Sequence, residues 1–233
     1  MYSFEDYCKD TRVDNSTGKL YLYRGQNNTE WKLISSYSRF CYNNNCVFDL
    51  SVFNRMLDSF MHESSYYLGK EMNKLGYFQK IAFAQHYGLP TPFLDWTESP
   101  YIAAFFALCT RTLNDKGAFR IWRMEVDNTA DYYMNQKEAQ NLSEEFYIIK
   151  TRVVDTKRIW KQNGYFSYLN SNESLDDYLK TKNSDVKIRH YDIYENEWVY
   201  VMKDLKFMGI THGNIFDSLD GVARDIALDF LTL

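Results

Sequence analysis

The spacing of apolar residues along the chain predicts an alternation of helices and extended segments. Apolar positions recur at helical spacing in five longer stretches, over residues 49–76, 78–87, 101–111, 195–208 and 219–230. Extended segments are predicted over residues 20–23, 91–94, 117–126, 147–154 and 186–193. A short helix over 175–179 and a helical turn near Arg158 complete the set, and the first long helix is expected to break near residues 62–65.

This order of elements predicts one α+β domain. The chain has 233 residues, the length of one domain rather than two. No internal repeat, low-complexity linker or clear boundary divides it. We expect a mixed α/β fold with a small twisted or split β-sheet core and inserted helices, over residues 20–233, after an N-terminal extension over residues 1–19.

The three prolines of the chain lie close together, at positions 90, 92 and 100. Gly88 followed by Pro90 predicts the end of the helix over residues 78–87. Ser99 and Pro100 predict the N-cap and the first residue of the next helix. Because a residue before proline is pushed out of the α region, the segment between the two helices is expected to be extended.

Composition and charge narrow the classes of function. Apolar residues make up 45% of the chain and charged residues 25%, as in ordinary globular proteins, and the formal net charge of −4 excludes a global basic field for nucleic acid. No N-terminal signal pattern is present, and the longest apolar stretch is too short to cross a bilayer. We therefore expect a cytoplasmic protein without a membrane partner. The many tyrosines suit a core with wet edges or a pocket lined by rings.

Cysteine and histidine positions predict no metal site. The four cysteines favour free thiols, although Cys41 and Cys46 flank a loop where a disulfide or a metal half-site is an alternative. The histidines lack metal-ligand spacing, and no HExxH, CxxC or P-loop pattern is present.

Arg24 is the first candidate for chemistry. It ends an apolar strand and is followed by Gly25, so a permanent cation stands at a sheet edge where the backbone can approach a ligand closely. Two interpretations remain open: a clamp for a phosphate or carboxylate, or an arginine paired with an acidic neighbour.

The stretch over residues 85–106 is the richest in polar candidates. His86 lies on the last turn of one predicted helix, and Asp95 comes just before the next. The hydroxyls of Thr97 and Ser99 beside a helix N-terminus could hold a ribose or phosphate, and Trp96 could stack on a base. The alternative is structural, because Asp95 and Glu98 have capping-box spacing and Ser99 begins an ordinary helix.

Several segments resemble the FRG domain, a family named after a Phe/Tyr-Arg-Gly triplet and without a settled activity. Residues 23–26 read Tyr-Arg-Gly-Gln, and the AQHYGLPT, LDWT and SP segments within residues 84–107 resemble the central signature of the family. Residues 158–166, which include Arg158 and Gln162, resemble a third block, and residues 209–221 resemble the last. Pro92 stands where the signature usually carries arginine. The resemblance covers about residues 20–225.

A second, looser similarity is to ADP-ribosyltransferases, in the order and type of residues. An early-strand cation, Arg24, is followed by the Thr97/Ser99 segment and an Ala-x-x-Phe-Ala helix. This similarity implies that Arg24 clamps the pyrophosphate of NAD while Tyr or Trp rings stack on nicotinamide. A carboxylate would stabilise the developing positive charge, with Asp95 as the first candidate and Glu197 or Asp220 as alternatives.

These resemblances define the expected site and function. The expected catalytic residues are Arg24, His86, Asp95, Thr97 and Ser99. The expected NAD-binding residues are Arg24, Gly25, Gln26, Arg39, Trp96 and Thr97. We expect an NAD-dependent ADP-ribosyltransferase-like enzyme, a bacterial or phage effector or defence toxin, that uses NAD as substrate, needs no metal and modifies a protein or nucleic-acid acceptor.

Two other functions are open. One is a non-catalytic module that binds a nucleotide, peptide or nucleic acid, with a local basic face of Arg24, Lys32 and Arg39 on a phosphate backbone. The other is a hydrolase with His86 as base and Asp95 as its orienting partner. The sequence does not predict the acceptor or the oligomeric state.

Overall fold

One antiparallel sheet of six strands forms the frame of the molecule. A computed structural model of the protein describes residues 1–68, 74–112, 114–126, 145–150, 164–182 and 186–231. The strands are β1 (Leu20–Gln26), β2 (Phe93–Thr97), β3 (Phe119–Val126), β4 (Phe146–Ile149), β5 (Gly164–Leu169) and β6 (Val186–Ile193). Their order across the sheet is β4-β5-β2-β1-β3-β6, and every neighbouring pair is antiparallel.

Helices surround this sheet. Within the described ranges they are α1 (Phe4–Arg12), α2 (Ser36–Asn43), α3 (Leu50–Leu68), α4 (Tyr77–His86), α5 (Pro100–Leu108), α6 (Leu175–Thr181), α7 (Trp198–Phe207), α8 (His212–Phe216) and α9 (Leu219–Leu231). Short 3-10 turns cover Asp14–Ser16 and Glu195–Glu197. None of the helices in the described ranges is both long enough and apolar enough to cross a membrane.

The predicted fold class is confirmed: the chain is a mixed α+β domain built on one sheet. The predicted start of α5 is also confirmed, because Ser99 Oγ accepts a hydrogen bond from Ile102 N and Pro100 is the first helical residue. Gly88 follows α4 with a φ of 90°, a conformation that glycine adopts easily.

Several details differ from the predicted elements. The long helix α3 runs through residues 62–65 without a break and ends at Leu68. The strand β5 was not predicted, because five of its six residues are buried and the strand therefore lacks an alternating pattern. The short helices α1, α2 and α8 were also missed. Residues 195–197 form a 3-10 turn before α7. The helical turn near Arg158, together with Gln162, lies outside the described residues.

Alternating strand residues separate the core into three apolar clusters. On one face of the sheet, α1, α5 and α7 cover the half formed by β1, β3 and β6, around residues such as Phe105 and Phe119. On the same face, α3 and α4 pack against β2, β4 and β5, around Phe78 and Phe93. The third cluster, which includes Trp96, lies on the opposite face together with α6.

The sheet is split between β1 and β2. Only Tyr23 and Thr97 are in register across this pair, whereas every residue of β1 is in register with β3 and every residue of β2 with β5. The strand segments that include Arg24 and Asp95 therefore lie at the separation, between the two groups of helices that share this face.

Candidate functional site

A partly open cleft of about 330 Å³ lies at the split of the sheet. Its walls come from β1, β2, β5, α4 and α5. The structure brings six of the predicted site residues into these walls: Arg24, Gly25, His86, Asp95, Trp96 and Thr97. Residues about seventy positions apart in the chain, Arg24 and Asp95, thus line one cavity.

Arg24 spans the gap between the separating strands. Its Nη1 donates to the main-chain oxygen of Asp95 at 2.8 Å and lies 3.7 Å from Oδ2 of the Asp95 carboxylate. Its Nε is buried and has no hydrogen-bond partner within the described part of the chain. Burial lowers the pKa of Arg24 and the nearby Arg39 cation lowers it further, while Asp95 opposes both effects. The guanidinium remains charged, because its ordinary pKa is so high.

Asp95 supplies the carboxylate of the cleft. Its Oδ1 accepts a hydrogen bond from Gln85 Nε2 at 2.7 Å, and its side chain is 62% exposed. The two alternative carboxylates do not line the cleft. Glu197 Oε2 accepts from the main-chain N of Phe4 at 2.6 Å, at the start of α1. Asp220 is exposed in the first turn of α9.

The remaining polar candidates divide between the cleft and the strand-to-helix turn. His86 lies on the last turn of α4, with its ring edge-on to Tyr87. Thr97 is buried, and its Oγ1 accepts from the main-chain N of Ser99 at 3.1 Å. Ser99 caps α5 and is not part of the cleft walls, so its structural interpretation is the one that the geometry supports.

The surroundings of Trp96, Gln26 and Arg39 do not favour the roles predicted for them. Trp96 is 2% exposed, packs in the cluster on the opposite face and donates from Nε1 to Ser167 Oγ, so its indole offers no open face for a base. Gln26 is buried and accepts from Trp122 Nε1 at 2.7 Å. Neither Gln26 nor Arg39 lines the cleft, although Arg39 is close enough to Arg24 to affect its pKa. Arg39 Nη1 donates to the main-chain oxygen of Ile34.

The close approach of a helix requires glycine at position 25. A Cβ at this position would overlap the main-chain oxygen of Ala103 and lie 2.5 Å from the main-chain N of Ala107. Two small residues one helical turn apart on α5 therefore pack directly on the backbone of β1. This contact fixes the wall of the cleft beside Arg24.

Several residues of the cleft were not predicted as site residues. Gln85 precedes His86 in the signature segment and binds Asp95, and Phe106 comes from the apolar face of α5. Gly164 and Phe166 line the cleft from β5. Gln85 could have been predicted as a site residue, because it lies within the AQHYGLPT segment of the family signature. The position of β5 beside β2 could not, because no local pattern in the sequence indicates that pairing.

The described residues contain no group of three His, Cys, Asp or Glu side chains that could share a metal ion. Cys8, Cys41, Cys46 and Cys109 are free thiols. The side chains that line the cleft include a partly buried guanidinium, a carboxylate and an imidazole, with an aromatic wall.

Comparison with protein families supports the resemblance carried by these residues. Residues 19–116 match the sequence model of the FRG domain family, and this part of the chain is an FRG domain. The match spans β1 to α5 and includes Arg24, Gln85, His86 and Asp95. The similarity of residues 158–166 and 209–221 to later blocks of the family stays a prediction. Neither the curated proteins nor the solved structures include a significant match to the chain.

Proposed function

We propose that the cleft binds the pyrophosphate of NAD at Arg24 and that the chain is an NAD-dependent ADP-ribosyltransferase. One observation carries this proposal: the Arg24 guanidinium shares a cavity with the Asp95 carboxylate. The Nε of this guanidinium is buried and has no hydrogen-bond partner among the described residues. The cleft thus combines a cation that can bind a phosphate with a carboxylate that can stabilise a developing positive charge.

The incomplete pairing of Arg24 favours an anionic ligand. A guanidinium has five N–H donors, and burying a charged donor without acceptors costs free energy. The carboxylate of Asp95 lies 3.7 Å from Nη1, beyond ordinary hydrogen-bond distance. Phosphate oxygens match the planar fork of an arginine and would supply the missing acceptors. Arg39, the second cation close to Arg24, adds to the local positive potential.

In this proposal Asp95 acts on the ribose of NAD. In the proposed reaction the bond between nicotinamide and the ribose C1′ breaks, and its electron pair leaves with nicotinamide. The Asp95 carboxylate stabilises the positive charge that develops on the sugar and orients the acceptor, whose nucleophile bonds to C1′ and gives up its proton. The rings of Phe106 and Phe166 offer an apolar surface for nicotinamide.

The size of the cleft suits one part of this substrate. A volume of about 330 Å³ is near the lower end of the range for small-molecule pockets. We therefore place the nicotinamide ribose and pyrophosphate inside, with the adenosine across the open mouth.

Thermal unfolding with and without NAD tests the proposal. A ligand that binds only the folded state raises the melting temperature by mass action. We expect millimolar NAD to raise it for the wild type and not for Arg24→Ala, with a reduced shift for Arg24→Lys because lysine keeps the charge without the fork. Release of nicotinamide from NAD, abolished in Asp95→Asn, would show chemistry. The absence of any NAD-dependent shift in the wild type would overturn the proposal.

A non-catalytic nucleotide-binding module is the second candidate. The observation that favours it is the hydrogen bond between Asp95 and Gln85, because this carboxylate already has a structural partner. A melting shift with NAD, without nicotinamide release under the same conditions, would select this function.

A further inference from the structure

A directional series of hydrogen bonds reaches the Asp95 carboxylate from the buried Thr91. The main-chain N of Phe93 donates to Thr91 Oγ1 at 3.4 Å, and the Thr91 hydroxyl in turn donates to Gln85 Oε1. Gln85 Nε2 then donates to Asp95 Oδ1 at 2.7 Å. In each step the donor hydrogen points toward the cleft, and the last acceptor is the Asp95 carboxylate.

Thr91 is held rigidly at the beginning of this series. It is 0% exposed and lies between Pro90 and Pro92, which restrict the backbone on both sides. Its main-chain N donates to Ser36 Oγ at 2.9 Å, and its main-chain oxygen accepts from Tyr37 N at 3.0 Å. Its main-chain groups are therefore bound to α2, and the hydroxyl is the group that reaches Gln85.

The Asp95 carboxylate and the Thr91 hydroxyl hold the two ends of the Gln85 amide. Because an ionised carboxylate can only accept, the NH2 end of the amide faces Asp95, and Oε1 accepts from the Thr91 hydroxyl. The flipped amide would place its oxygen against the carboxylate and lose that hydrogen bond, and the Thr91 hydroxyl would have to accept from the amide while it also accepts from Phe93 N. In the observed orientation, Asp95 Oδ1 is engaged and Oδ2 stands 3.7 Å from Arg24 Nη1.

We propose that Gln85, anchored by Thr91, is a positioning residue that holds the Asp95 carboxylate off Arg24 and so keeps the guanidinium available for a phosphate ligand. A carboxylate without this restraint would close onto Arg24 and compete with the ligand for the same N–H groups. This inference rests on the proposed function in one respect, that Arg24 binds an anion.

Calorimetric titration with inorganic pyrophosphate tests the inference. Thr91→Val keeps the shape of the side chain and removes only the hydroxyl, at a position that does not line the cleft. We expect Thr91→Val and Gln85→Met each to weaken pyrophosphate binding about tenfold, because either change frees the Asp95 carboxylate to compete for Arg24 at a cost similar to that of one hydrogen bond. The double variant should bind no more weakly than Gln85→Met alone, and Thr91→Ser should bind like the wild type.

The Asp95→Asn background separates positioning from a general loss of structure. A neutral amide does not compete for Arg24, so adding Thr91→Val to Asp95→Asn should leave pyrophosphate affinity unchanged. An equal loss from Thr91→Val in the wild-type background and in the Asp95→Asn background would overturn the inference. Additive losses in the Thr91→Val, Gln85→Met double variant would overturn it as well.

A wild type that binds no pyrophosphate would contradict the proposed function itself. A second measurement, made without ligand, tests the inference in that case. The side-chain amide protons of Gln85 can be followed by NMR in the free protein. We expect Thr91→Val and Asp95→Asn each to shift these signals, while the exposed-site control Tyr87→Phe does not. Unchanged Gln85 signals in both variants would overturn the inference.

Discussion

The half-buried guanidinium of Arg24 needs more acceptors than the described residues give it. Its short hydrogen bond goes to the main-chain oxygen of Asp95, at the point where β1 and β2 stop pairing. A continued ladder would have satisfied that oxygen with a main-chain N–H. The side chain therefore holds the edge of the split sheet and still has donors left for a ligand.

The sequence predicted which residues lie near the cleft better than it predicted the direction in which their side chains point. The placement of Arg24 and Asp95 in one cleft agrees with the order of residues in the signature. The indole of Trp96 does not face the same side as Asp95, because neighbouring residues of a strand face opposite sides of the sheet. Asp95 lies on the side of α4, so Trp96 enters the opposite core.

The buried pair of Asp14 and Arg123 gives a prediction at this scale. Arg123 Nε donates to Asp14 Oδ2 at 2.7 Å, and the hydroxyl of Tyr23 donates to the same carboxylate. Asp14 and Arg123 are 3% and 6% exposed. Asp14→Asn leaves the buried Arg123 with only the Glu125 carboxylate, 3.5 Å from its Nη1, as an ionic partner. We therefore expect the free energy of unfolding to fall by about 2 kcal/mol, the loss for a hydrogen bond to a charged group.

Urea denaturation measures this loss. The matched control is Lys9→Gln, which breaks the solvent-exposed ion pair of Lys9 with Glu5 and should leave the unfolding midpoint unchanged. Equal midpoints for Asp14→Asn and the wild type would show that the buried pair does not stabilise the fold.

At the scale of elements, the packing of α5 on β1 depends on Gly25. The missing side chain lets the backbone of Ala103 approach to a distance that no Cβ tolerates. We expect Gly25→Ala to displace α5 and to lower the free energy of unfolding by about 3 kcal/mol, the upper part of the usual range for overpacking.

Gly88→Ala is the matched control for this substitution. A Cβ at Gly88 would meet no atom within 4 Å, and the cost comes from its φ of 90° alone. We expect a loss of about 1 kcal/mol from the backbone conformation. A Gly25→Ala variant no less stable than Gly88→Ala would contradict the account of the α5 contact.

The junction of α8 and α9 predicts a pH dependence. Burial raises the pKa of Asp225, but hydrogen bonds from Gly213 N, His212 N and the His212 ring lower it more, and the pKa lies below its ordinary value. The folded state therefore holds this proton less tightly than the unfolded state. The stabilisation is fully present above the unfolded pKa of about 3.9 and is lost as the pH falls through the lower folded value.

Unfolding free energies measured between pH 6 and pH 3 check this sign. We expect the wild type to lose more stability below about pH 4 than Asp225→Asn does, because the variant lacks the titrating group. The same acid dependence in both proteins would show that Asp225 does not contribute.

At the scale of the whole molecule, the N-terminal segment belongs to the packed structure. Tyr7 is fully buried in the cluster around α5, and its hydroxyl donates to the main-chain oxygen of Pro100. The segment also carries Asp14, the partner of Arg123. The division at residue 20 stays a prediction, and truncation tests it. We expect the chain without residues 1–19 to lose cooperative thermal unfolding, whereas an unchanged melting transition would support a separate extension.

The global arrangement was the part least accessible from the sequence. Local periodicity and capping residues predicted most of the longer helices and the strands, because these signals act over a few residues. In the order β4-β5-β2-β1-β3-β6, the pairs β5-β2, β1-β3 and β3-β6 join strands that do not follow one another in the chain, and nothing local encodes that pairing. The sequence predicted a twisted or split sheet and the polar residues of the site. It did not predict that β5 would form a wall of the cleft.

The Arg24 Nε–H signal in an NMR titration with NAD tests the central claim most directly. This N–H has no acceptor within the described residues, so a phosphate oxygen that binds it should shift the signal strongly downfield and saturably. The account predicts that shift, together with shifts confined to the cleft. An unchanged Arg24 signal at saturating NAD, or shifts located elsewhere on the protein, would contradict it.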